Sequence, residues 1–133
     1  MRMLILVVSV VMLFIGCKSV QYPPYSPDFQ FISKEESGLY VLKNNGFGVN
    51  LDTAVADAQK NVFYHIIFKG IPGTELNIPL VANEADSKSK HNDYFNKFFE
   101  QGGFKAFMLS SGITSNMSKV TGGYQITIEV KVN

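Results

Sequence analysis

The residues of this chain that could do chemistry are few, and they do not gather. Its two histidines, His65 and His91, sit in different stretches. A metal site would need both to approach and one or two further ligands such as Asp93 or Glu84. Without a spaced set of ligands they read as satisfied, partly buried side chains. Gly46-Phe47-Gly48 precedes a helix start, where backbone N–H groups could cradle a phosphate. The third glycine of that pattern is missing, and Asp52 puts a negative charge where the anion would sit. Ser110-Ser111-Gly112 lacks the flanking glycines of a nucleophile elbow. Glu35 and Glu36 fall in a tether, where nothing would raise a carboxyl pKa. Cys17 is the only cysteine, so no disulfide forms within the chain. These residues predict a non-enzymatic protein with no metal and no cofactor.

The first seventeen residues carry the clearest signal. Arg2 supplies a positive charge, and Leu4 to Ile15 is apolar except for Ser9. The run is shorter than the ~20 residues that span a bilayer but suits a signal-peptide core. It ends in Leu13-Phe14-Ile15-Gly16-Cys17, which resembles a bacterial lipobox. That resemblance implies cleavage after Gly16, removal of residues 1–16 and lipid on Cys17. Two or more acyl chains, at about 0.8 kcal/mol per buried methylene, would anchor the protein stably. Lys18 stands where enteric inner-membrane retention would place Asp, and no acidic run of the kind that directs Bacteroidetes lipoproteins to the surface follows. The expected location is therefore the outer membrane, on its periplasmic rather than its surface side.

The chain has twelve basic and eleven acidic residues. Loss of Arg2, the only arginine, would leave a neutral mature protein with no field to attract nucleic acid. Lys18 to Ser37 holds Pro23, Pro24 and Pro27 with Tyr22 and Tyr25 between them. Proline keeps this stretch extended, so residues 17–37 read as a lipidated cysteine and a tether reaching roughly 60 Å. Phe29, Phe31 and Ile32 either begin to dock on the domain or add a short edge strand.

A single domain is expected over residues 38–133. Leu39 to Val49 reads as a strand bent at Gly46 and Gly48. Asp52, with Asn50 as the alternative, caps a long helix ending at Gly70. Leu51, Ala54, Val55, Ala58, Val62, His65 and Ile66 form its apolar stripe, and the small Ala54 and Ala58 would allow close approach to a sheet. Ala56, Phe63 and Ile67 make a second apolar strip. It is covered by the second helix or by the loop after Gly70, or else it meets a partner. Pro79 demotes Ile78–Ala82 to an edge strand or a packed loop. A second helix over about Asp86–Gln101 carries His91, Tyr94, Phe95, Phe98 and Phe99, and Gly102-Gly103 ends it. A strand follows from Phe104 to about Met117. Gly122-Gly123 then turns the chain into Tyr124–Asn133, whose strict alternation predicts one buried and one wet sheet face.

The expected fold class is α+β: a three- to four-stranded, mainly antiparallel sheet with two helices on one face, in the order β-α-α-β-β. Tyr40 to Gly48, followed by Ala54, Asp57-Ala58, Ile66 and Gly70, resembles the strand–Gly-x-Gly–helix unit of small outer-membrane lipoproteins and of the N-terminal domain of the flagellar assembly protein FlgT. Gly70-Ile71-Pro72-Gly73, Pro79-Leu80-Val81 and Tyr94-Phe95 with Phe98-Phe99 are similar to uncharacterised Bacteroidetes lipoproteins. The resemblance implies membrane-linked assembly work and brings no catalytic residues. The expected function is a lipid-anchored periplasmic scaffold that contacts an envelope protein through the Ala56/Phe63/Ile67 strip or through a free sheet edge at Leu39–Asn44. The alternative is a small-ligand or glycan binder, with a cleft between the second helix and the sheet and Tyr94 or Tyr124 at its mouth.

Overall fold

The final strand shows the period-two pattern most clearly. Ile126, Ile128, Val130 and Val132 are buried, while Gln125, Thr127, Glu129 and Lys131 on the other face are half-buried. The structure, a computed structural model, describes residues 25–133; Gly16, Cys17 and the prolines at 23 and 24 lie outside the described residues. The elements are β1 (Gln30–Lys34), β2 (Tyr40–Gly48), α1 (Leu51–Phe68), α2 (Glu84–Lys90), α3 (Asn92–Phe95) running into a π-turn (Asn96–Glu100), a 3-10 turn (Gly103–Phe107), β3 (Met108–Ile113), β4 (Ser118–Val120) and β5 (Gly123–Val132). All strand pairs are antiparallel, in the order β1-β2-β5-β3, with β4 also pairing with β5. The α+β class and the antiparallel sheet are as expected. Among the described residues, five strands and three helices replace the simpler β-α-α-β-β order.

Each difference has a local cause. Residues 30–34 extend the sheet because Phe29 and Phe31 pack on the core while Gln30 and Phe31 pair with Lys43 and Leu42. The edge strand is thus the outcome for this stretch. It also covers β2 from Tyr40 to Lys43, so the free edge expected at Leu39–Asn44 does not exist. The second helix is broken at His91, whose ψ of 38° leaves the helical region. α2 is polar all round and buries nothing; only Phe95, Phe98 and Phe99 of the expected stripe are buried, while His91 and Tyr94 are exposed. Gly102, left-handed at φ 77°, ends the π-turn and drops Phe104 into the core before a strand can start. The third strand is interrupted at 114–117, where the Ser115 hydroxyl accepts from Thr127 N at 2.8 Å in place of a strand carbonyl.

The seam between α1 and the sheet sets the geometry of everything else. Asn50, not Asp52, caps α1: its Oδ1 accepts from Thr53 N at 2.9 Å while its own N donates to Thr53 Oγ1 at 3.1 Å, a reciprocal capping box. Ala54, Ala58 and Val62 are fully buried against the sheet. Gly46 and Gly48 are not at a bend. They pair in register with Ile126 and Tyr124, and they are glycine because α1 lies directly on them. A Cβ on Gly46 would stand 2.2 Å from Ala54 O. After Phe68 the chain turns at Gly70, φ 80°, and the loop packs back through Ile71, which is fully buried, and through Val81 N donating to Ile67 O at 2.9 Å.

Candidate functional site

The second apolar strip of α1 does not form a surface. Phe63 is 4% exposed, beneath Phe98 and Phe104 at ring distances of 6.1 and 5.3 Å. Ala56 is exposed by itself, and Ile67 is half-buried against the core. Both expected covers are used: the helical segment after Asn92 shields Phe63, and the loop after Gly70 is bonded to Ile67. The Ala56/Phe63/Ile67 strip is therefore not one continuous surface: Phe63 and Ile67 form an internal wall, and Ala56 stands apart from them.

What that wall encloses is an apolar pocket of about 420 Å³. Phe63, Ile66 and Ile67 of α1 form one side, Leu76 and Val81 another, and Phe98 of the π-turn a third. Tyr40 and Val132, at the end of the central ladder, close the base. No Asp, Glu, Lys or Arg side chain lines it. Its rim carries Leu80, Tyr94 and Phe107, which are 62%, 60% and 55% exposed. The size falls in the range of about 300–1,000 Å³ typical of small-molecule sites, and its lining suits apolar ligands. Tyr94 thus stands at the mouth of a real cleft, while Tyr124 is elsewhere, paired with Gly48 and Lys119. Exposed aromatic and aliphatic groups gathered around an apolar concavity mark a surface suited to binding.

The polar residues singled out by their chemistry stay apart. His65 faces the N-terminal segment: Nε2 donates to Ser26 O at 2.8 Å, and the ring stacks on Phe29 at 4.7 Å. His91 is exposed at the break between α2 and α3. Among the described residues no group of three or more His, Cys, Asp or Glu is placed to hold a metal. The Gly46-Phe47-Gly48 backbone already has an anion, since Phe47 N donates to Asp57 Oδ2 at 2.9 Å. Ser111 Oγ accepts from Gln59 Nε2 at 3.1 Å, with no base at hand.

Burial lowers the His65 pKa, and the charge of Lys69 adds to this, partly opposed by the bond to Ser26 O. The folded state therefore binds fewer protons here than the unfolded chain does. Stability from this site is complete above the unfolded value of about 6.5 and falls as pH drops below it. The urea midpoint of the protein is expected to fall between pH 7.5 and pH 5.5, and a His65→Gln variant to show a smaller fall. An equal fall in both would remove His65 as the cause.

Sequence reasoning passed over a buried polar trio under α1. Asn44 and Asn61 are 0% and 1% exposed, and Asp57 lies beside them. Asn61 Nδ2 donates to Asp57 Oδ2 at 3.0 Å and to Asn45 O at 3.4 Å. Asn44 Nδ2 and Asn61 Oδ1 have no partner. Desolvation raises the Asp57 pKa, against the bonds from Phe47 N and Asn61. The available signal was parity: Asn44 is two residues from Leu42 and so shares its inward face.

No helix among the described residues is long and apolar enough to cross a membrane. No family model matches the chain, and no curated protein or solved structure matches it closely enough to count as similar.

Proposed function

We propose that this is a lipid-anchored envelope protein, held through acyl chains on Cys17 at the periplasmic side of the outer membrane, whose domain is a non-catalytic binding module for an apolar small molecule. The apolar pocket between α1, the post-Gly70 loop and the π-turn carries this reading. A linear ligand such as a fatty acyl chain suits it, because the lining offers contact area and hardly any polar partners. The scaffold reading loses the two surfaces it rested on, since β1 pairs along β2 and Phe63 is buried.

Titration of the protein with a dansylated fatty acid tests the site. Saturable one-to-one binding with a rise in dansyl emission is expected; a linear, unsaturable response would sink the pocket reading. The anchor is tested separately. Cys17→Ala is expected to move the protein from the membrane fraction to the soluble fraction of cells, and persistence in membranes would overturn lipidation at Cys17.

A further inference from the structure

A second concavity, of about 490 Å³, lies across α3 from the apolar pocket, with Phe95 lining both. Its character is different. Two lysines and two glutamates line it, and each is matched: Lys60 with Glu100 at 3.6 Å, Lys88 with Glu84 at 2.6 Å. Tyr64 OH also donates to Glu84, at 2.5 Å. The ring of Tyr64 stacks on Tyr25 at 3.8 Å, which puts an aromatic wall beside the ion pairs. Asn92 and Asn96, one helical turn apart, supply exposed amides on the α3 side.

Asn61 also lines this cleft. It is 1% exposed, both donor bonds of its amide nitrogen are used, and its Oδ1 has no donor. A buried acceptor in this state is costly, and it is enclosed behind the cleft wall rather than open to it. An anion entering the cleft would meet Glu84 and Glu100, and a cation would meet Lys60 and Lys88. A neutral ligand with many hydroxyls meets neither penalty. Each hydroxyl both donates and accepts, so it can serve the Glu84 and Glu100 carboxylates and the Asn92 and Asn96 amides alike. The C–H face of a sugar ring also packs on aromatic walls such as Tyr25 and Phe99.

We propose that the cleft between α1 and the α2–α3 segment is a binding site for a neutral, polyhydroxylated ligand of the saccharide class, separate from the apolar pocket. The test is saturation-transfer NMR on the protein with maltose and with N,N′-diacetylchitobiose at millimolar concentration. Saturable transfer from at least one sugar is expected. The double variant Asn92→Ala/Asn96→Ala, which touches only exposed side chains, should weaken it by about tenfold or more. Ile67→Glu, which strikes the other pocket, should leave it unchanged. Absence of transfer from both sugars overturns the proposal, as does a double variant that binds like the parent. Failure of the parent protein to bind fatty acid, with sugar binding intact, would count against the apolar pocket alone.

Discussion

Replacing Gly46 with alanine is expected to cost about 3 kcal/mol or more and to shift urea unfolding to far lower concentration. The added Cβ would lie 2.2 Å from Ala54 O, 2.4 Å from Ala58 N and 2.5 Å from Ala58 Cβ. Two of those atoms are helix backbone, which cannot rotate away. Relief requires α1 to lift from the sheet, and Ala54, Ala58 and Val62 would lose their contacts together. A domain of ordinary stability holds only about 5–15 kcal/mol in reserve, so the loss is a large share of it. Gly112 provides the control. Nothing stands within 4 Å of a Cβ there and its φ is not positive, so Gly112→Ala should change stability by no more than about 0.5 kcal/mol. Equal urea midpoints for the two variants would show that α1 does not bear on Gly46.

Ile67→Glu is expected to reduce fatty-acid affinity by at least about 100-fold, or about 2.7 kcal/mol. Ile67 is half-buried on the pocket wall, and no basic side chain lines the pocket to neutralise a carboxylate there. An acyl chain would have to strip water from that carboxylate without replacing its hydrogen bonds. The backbone carbonyl of Ile67 continues to accept from Val81 N, so the loop stays docked. Ile67→Leu, similar in volume and equally apolar, should bind within a few-fold of the parent. Ligand titration with circular dichroism on all three proteins separates loss of the site from loss of fold. Retained affinity in Ile67→Glu would place the ligand elsewhere.

The contrast between α1 and the segment after it shows what the sequence could reveal. α1 and β5 each have a single periodicity, 3.6 and 2, and both were legible to within a residue or two. The small residues at 54 and 58 also gave correct notice of a close approach to the sheet. Legibility failed where a segment has two neighbours. Tyr64 and Phe68 look outward on the wheel of α1 yet are buried, because Tyr25 and the Phe95–Phe99 segment cover that side. Gly46 and Gly48 looked like punctuation, since the same absence of a side chain serves a turn and a helix contact. The pocket was foreseen only as an alternative. Concavity depends on how the loop after Gly70 returns to Ile67, which no periodicity encodes.

The position of β5 in the sheet governs when the domain can fold. Its two edges hold β2 on one side and β3 with β4 on the other, so it is the strand that joins the sheet into one piece. Tyr40 pairs with Val132 and Gly48 with Tyr124, across nearly all the intervening sequence. Until that last strand is available, β2 has only the short β1 beside it, and Leu42 and the glycines under α1 have nothing to close against. Such distant pairing carries a large loop-closure cost and slows folding. The core of this domain therefore closes only once β2 and β5 have met across that distance.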